Sequence, residues 1–275
     1  MKRIWPAMIL LIGFAFSSIW AQEQTPASDP NPAFWGIQLI NLPTARTLDK
    51  GEVLFRISHR FLQAFESGYD SFYGLDGPSI ILLGFGYGIS DRLGVSLGRT
   101  NNAKTVELGL HWLALNQGNS HGLPFSAVLH AGGSLVTESR PDRRLFSSEN
   151  LSLNLLLSLS SRLSDRLSLL VVPCYSTNTN HQKSDSRGTF SLGIGGRFMF
   201  LEDMSAIIEW VPVLSGYKAQ ANGWGIGIEK KIGGHVFQFF ALNTFGMTPD
   251  QFVPGGDLLL GNGDFRLGFN IFRSF

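Results

Sequence analysis

From residue 52 onward apolar and polar positions alternate with a period of two, the pattern of β-strands that bury one face in an apolar medium. The clearest run sets Leu151, Leu153, Leu155, Leu157 and Leu159 against Ser152, Asn154, Leu156 and Ser158. Val53, Phe55 and Ile57 alternate with Leu54, Arg56 and Ser58, and Phe265, Leu267, Phe269 and Ile271 with Arg266, Gly268 and Asn270. Twelve such segments are predicted, near 52–62, 78–89, 92–100, 103–115, 123–137, 149–163, 166–176, 188–200, 204–213, 223–232, 235–244 and 263–275. The eleventh, with Phe237, Phe239 and Phe240, has no assigned face.

Alternation alone fits a soluble sandwich as well as a membrane barrel, so the connections must decide. Except for the third, odd-numbered connections are long and even-numbered ones short, as expected of a transmembrane barrel with short periplasmic turns and long outer loops. Two short turns, 88–93 and 162–167, share Ser-Asp-Arg-Leu, whose Ser and Asp can bond their own backbone. The predicted fold is therefore all-β: a closed antiparallel transmembrane β-barrel of about 12 strands.

The last strand agrees. A closed barrel needs its final strand to pair with its first, leaving no edge exposed to lipid. Residues Phe265, Leu267, Gly268, Phe269, Ile271 and the terminal Phe275 resemble the C-terminal assembly signal of outer-membrane barrels, and imply recognition by a barrel-assembly machinery. Arg273 departs from that pattern, at a cost near an interface of only about 0–1 kcal/mol. The stretch Asn41-Leu42-Pro43-Thr44-Ala45-Arg46-Thr47-Leu48-Asp49-Lys50-Gly51-Glu52, with Ile57-Ser58-His59-Arg60-Phe61, resembles an uncharacterised family of outer-membrane β-barrel proteins from Gram-negative Bacteroidota. That resemblance implies location and fold and supplies no catalytic residues.

The N-terminus fits export. Lys2 and Arg3 precede an apolar stretch from Ile4 to Phe16, and Ala21 stands at an expected cleavage point, so 1–21 is assigned as a signal peptide. Residues 22–50 form a periplasmic leader, of which 34–50 could fold into the lumen as a plug, and 51–275 form the barrel. Charged residues are 16% of the chain, well under the roughly 25% of soluble domains. The 22 Lys and Arg nearly balance the 21 Asp and Glu, giving no basic stripe for nucleic acid. Cys174 is the single cysteine, so there is no intramolecular disulfide framework, and it is read as a packing residue.

Candidate chemistry concentrates on the polar face. By phase, Arg56, Arg60, Glu107, His111, Arg162, Arg166, Arg197, Glu209, Glu229 and Arg266 point inward. They are either an interior bracing network or a charged constriction that selects solutes, with an arginine excess leaning towards anions. His59 falls on the opposite face, and Trp112, Trp210, Trp224, Tyr87, Tyr175, Phe198 and Phe200 are expected as interface girdles. Gly94-Val95-Ser96-Leu97-Gly98 spells G-x-S-x-G but lies within an alternating strand, where a nucleophile elbow needs a strand, a sharp turn and a helix. No histidine has Ser two residues away, so a Ser–His dyad would have to come from different strands. His121 and His130 lack the further ligands of a metal site, and the Gly84, Gly86, Gly88 run is read as room for neighbouring side chains or a plug. No metal or cofactor is expected. The leading reading is a narrow pore or transporter for small hydrophilic solutes in outer-membrane lipid. Alternatives are a non-conducting structural or partner-binding barrel, a barrel lipid hydrolase and a soluble exported β-protein.

Overall fold

The computed structural model describes residues 32–117, 123–141, 143–180 and 188–275, so the predicted signal peptide and the leader through residue 31 lie outside the described residues. The strands are β1 (Val53–Phe61), β2 (Ser79–Ser90), β3 (Leu93–Thr100), β4 (Val106–Leu115), β5 (Ser126–Leu135), β6 (Leu151–Arg162), β7 (Leu167–Ser176) and β8 (Thr189–Leu201). They continue as β9 (Met204–Val211), β10 (Val213–Ser215), β11 (Gly223–Ile232), β12 (His235–Leu242) and β13 (Arg266–Ser274). Each pairs antiparallel with its neighbours, and β13 pairs with β1 from Leu54↔Ser274 to Arg60↔Gly268. Backbone bonds between Val53 and Phe275 extend that seam to the chain's last residue. The result is a closed twelve-stranded barrel. Strand β10 is the extra one: it continues β9 beyond Pro212, which cannot donate to the ladder, and pairs only with β8.

The side-chain period carries the architecture. In β2, Ile81, Leu83, Phe85, Tyr87 and Ile89 project outward while Leu82, Gly84, Gly86 and Gly88 face in. So many exposed large apolar side chains on strand faces are unfavourable in water and favourable in hydrocarbon. Tyr87, Trp112, Phe198 and Phe200 lie outward towards the short-turn end, and Tyr175, Trp210 and Trp224 towards the long-loop end. His59 also faces outward, stacked on Phe269 with ring centroids 4.8 Å apart. The guanidinium of Arg273 lies 4.9 Å over the Phe275 ring and donates to His235, which partners an otherwise misplaced charge. In β12 the register settles the unassigned face: Gln238 and Phe240 point in, and Phe237 and Phe239 point out. The third connection, 101–105, remains short, held by a turn at Asn102–Lys104.

Candidate functional site: the filled lumen

The chain itself fills the barrel. Residues 34–48 enter from the short-turn end and fold into a tight hairpin inside it. Leu39 N donates to Leu42 O at 2.8 Å, Thr44 N to Ile37 O at 2.9 Å, and Gln38 bridges Pro43. The tip is apolar: Leu39, Ile40 and Leu42 are buried among Leu156, Leu170, Val172, Cys174, Ile207, Phe240 and Leu242. Inward glycines make the room. A Cβ on Gly193, Gly195 or Gly225 would meet the side chain of Leu42, Leu39 or Ile40 within 2.8 Å. On the other wall, a Cβ on Gly86 would meet Leu48, and one on Gly88 would collide with the Asp49 carbonyl oxygen. Gly88→Ala is therefore expected to destabilise the full-length barrel by about 1–3 kcal/mol, since a backbone carbonyl cannot swing aside. Gly94→Ala, whose added methyl has 3.4 Å of clearance, is the control that should leave the urea midpoint nearly unchanged.

Buried polar backbone in the hairpin must be satisfied by the wall. Glu209 Oε2 accepts from the successive N–H groups of Ile40, Asn41 and Leu42 at 3.2, 2.8 and 3.1 Å, and Oε1 accepts from Asn41 Nδ2 at 2.8 Å. This is a backbone nest closed on a carboxylate. Arg60 is fully buried; it donates to Ile40 O, Asn41 Oδ1 and Asn270 Oδ1 and lies 4.6 Å over the Phe240 ring. Asn270 Nδ2 adds a bond to Ile40 O, and Gln238 Nε2 bonds both Gln38 O and Glu229. Arg197 donates to Pro32 O and stacks over Trp35. Ser158 and Ser160 reach Pro43 O and Ala45 N. Arg46 of the segment pairs with Glu52 at 3.3 Å.

From the opposite end the 243–265 connection folds inward. It carries the one-turn helix α1 (Pro249–Phe252), whose Phe252, with Val253, rests on the same apolar cluster as the hairpin tip. Ser191 Oγ donates to Val253 O, Gln251 donates to Thr105 Oγ1, and Arg266 makes a two-pronged pair with Asp257, both bonds 2.7 Å. Between hairpin, α1 and the walls of β1–β6 remains a cavity of about 120 Å³. It is lined by Arg56, Ser96, Glu107, His111, His130 and apolar neighbours.

Most of the inward set lies in this interior, with different partners. Arg56 and Glu107 pair at 2.6 Å beside the cavity, and Arg56 also donates to Gln38. Arg60, Arg197 and Glu209 hold the hairpin, Glu229 sits behind Gln238, and Arg266 holds the outer connection. Arg162 is half-buried at the short-turn end, where its backbone meets Gln117. Arg166 is a correction: strand β7 begins only at Leu167, so Arg166 belongs to the exposed 164–166 turn and is not a lumen charge. A ranking by charge also passes over Gln238, Asn270, Asn41 and Ser158, which do as much to seat the hairpin. Inward parity in their strands was the available signal for three of them.

His111 gains an unexpected partner. The β4–β5 register places it opposite His130, Nδ1 to Nδ1 at 2.7 Å. Its Nε2 lies 2.8 Å from Ser96 Oγ of β3, and His130 Nε2 lies 2.9 Å from Ser158 Oγ of β6. Ser96 sits mid-strand with no elbow, yet it does meet a histidine from the neighbouring strand. The hairpin symmetry of 111 and 130 about the turn between them was the sequence signal.

The family described as membrane bound beta barrel domain (DUF5777) matches residues 34–275 of this chain, hairpin included. No curated protein matches it. Among solved structures, a KdgM porin in complex with disordered oligogalacturonate is 12% identical over 82% of this chain and 99% of its own, with a TM-score of 0.49. The COG4313 outer membrane channel of Pseudomonas putida F1 is 14% identical over 84% and 98%, with a TM-score of 0.47. Outer membrane phospholipase A of Escherichia coli is 13% identical over 82% and 90%, with a TM-score of 0.44.

Proposed function

Because this chain belongs to the membrane bound beta barrel domain family, we propose that it works in the outer membrane as a gated barrel, closed by its own N-terminal segment. Small hydrophilic solutes pass when that segment leaves. The observation that carries this reading is the seating of residues 34–48 by polar bonds from Glu209, Arg60, Asn270 and Ser158, on a wall whose glycines leave room for it. Water can replace such bonds once the segment withdraws, which lowers the cost of leaving. Vacating it leaves Arg56, Arg60 and Arg197 facing Glu107, Glu209 and Glu229, with Arg266 still paired to Asp257, a lumen lined by both signs of charge. Residues 1–21 direct export, and the strand ending at Phe275 presents itself to the assembly machinery.

The test is single-channel recording in planar bilayers. Full-length protein should be silent, while a variant lacking residues 33–48 should show discrete conductance steps. The deletion also removes the floor beneath Phe252 and Val253, so the outer connection loses support with it. Silence from the folded, inserted deletion variant would make the barrel a structural or partner-binding one. Equal conductance from both proteins would remove the gate.

A further inference from the structure

The four-member chain Ser96–His111–His130–Ser158 has a direction, and the hairpin sets it. Ser158 Oγ lies 2.7 Å from the Pro43 carbonyl oxygen, which can only accept, so the single hydroxyl proton of Ser158 is engaged there. His130 Nε2, at 2.9 Å from the same Oγ, must then be the donor. With both rings neutral, His130 Nδ1 is left with its lone pair, so His111 carries its proton on Nδ1 and donates across the 2.7 Å contact. His111 Nε2 therefore bears the free lone pair, and Ser96 Oγ–H donates to it at 2.8 Å. This is the tautomer a serine nucleophile requires: a hydroxyl donating to the basic nitrogen of a ring whose other N–H is held by a third group.

The position fits the chemistry. Ser96, His111 and His130 all line the cavity of about 120 Å³, together with the cation Arg56. Gly109, opposite Ser96 in the β3–β4 register, keeps the hydroxyl free, since a Cβ there would stand 2.6 Å from Ser96 Oγ. The remaining lining includes Ile37, Leu156, Met247 and Phe252, which suit an apolar acyl group.

We propose that Ser96 and His111 form an acyl-transfer site inside the barrel, with His130 as positioning residue, acting on small carboxylic esters with short apolar acyl chains. Ser96 Oγ attacks the ester carbonyl carbon while its proton passes to His111 Nε2. That proton goes to the departing alkoxide, releasing the alcohol and leaving an acyl-serine. A water then gives a proton to His111 and attacks the acyl carbon, and His111 returns the proton to Ser96. The net change is ester plus water to carboxylic acid plus alcohol, without oxidation or reduction.

The experiment treats folded, full-length protein in detergent with diisopropyl fluorophosphate, a small reagent that phosphorylates activated serines with loss of fluoride, and maps the adduct by mass spectrometry. One adduct at Ser96 is expected. Its rate should fall at least about 100-fold in His111→Leu, the usual scale for losing a general base. His130→Leu should also lose it, while His130→Asn, whose amide oxygen can still accept from His111 Nδ1–H, should retain a measurable part. A merely structural role for His130 would make no such distinction. Retention of the folded band on unheated gels certifies each variant. The Ser96→Cys variant, treated with a small methanethiosulfonate, reports access to the site. If its thiol reacts while Ser96 of the parent stays unlabelled, the proposal is overturned. A thiol that does not react overturns it too, because no substrate could then arrive. Neither result bears on the conductance test of the gate.

Discussion

Under the proposed gating, replacing Glu209 with alanine is expected to give a barrel that opens spontaneously. Among the described residues, the carboxylate is the side-chain acceptor for the N–H groups of Ile40, Asn41 and Leu42, all inside the lumen. A methyl group leaves these donors buried and unpaired, at about 1–3 kcal/mol each. The sum, about 3–9 kcal/mol, matches the combined gain from burying Leu39, Ile40 and Leu42, roughly 1.5–3 kcal/mol each, so the tip loses most of its net hold and its donors regain partners when it moves into water. The expected record is bursts of conductance in Glu209→Ala, with the N-terminal segment newly cleaved by added protease while the barrel stays intact. Glu229→Ala is the companion: Glu229 meets Gln238 rather than the hairpin, so its loss should give a far smaller effect. A Glu209→Ala protein as silent and as protease-resistant as the parent would show that the segment is fixed by packing and is no gate.

The second large effect is expected at the other mouth. Arg266 is almost fully buried and holds Asp257, a third exposed, by two 2.7 Å bonds, with Phe245 beneath the guanidinium at 5.5 Å. Arg266→Ala removes a charge-assisted pair worth about 1.5–3 kcal/mol per bond at full burial, and solvent at Asp257 places the outcome in the lower part of that range. A loss of about 2 kcal/mol raises the open population of the outer connection roughly 30-fold. The check is Met247→Cys, at a position buried against the cavity in the parent. Its thiol is expected to react at least about ten times faster with an impermeant reagent when Arg266→Ala is also present. Unchanged reactivity would mean that Ser191, Gln251 and Val253 hold the connection without the ion pair. Together the two variants separate the closures: one releases the hairpin from the short-turn end, the other the connection from the long-loop end.

The strands were legible because a β-strand states its environment locally. Successive side chains point to opposite sides, so each residue of Ile81-Leu82-Leu83-Gly84-Phe85-Gly86-Tyr87 declares lipid or interior without reference to the rest of the chain. Turn lengths and the paired C-terminal strand are likewise local or nearly so, and the closed antiparallel barrel follows from them. The same parity put Arg56, Arg60, Arg197, Glu209 and Arg266 inside. It misplaced Arg166, because phase has no meaning once the chain leaves the strand. The Gly84, Gly86, Gly88 run marked a surface something could approach, though not what.

What fills the barrel was decided only in three dimensions. Residues 34–50 lack alternation, and nothing in Asn41-Leu42-Pro43 names Glu209, more than 160 positions away, as its partner. The contact exists because the closed sheet brings β9, three strands from β13 along the ring, round to the same lumen as the adjacent β1 and β13, and curvature is a property of the closed sheet rather than of any strand. The same holds for Ser96, His111, His130 and Ser158. Their shared inward faces could be read strand by strand, whereas their meeting required the registers of β3 through β6 and the arrival of the Pro43 carbonyl. A strand's face is set by its own backbone period, but which inward groups touch is set by register, curvature and whatever the enclosed volume must hold to leave no buried polar group unpaired.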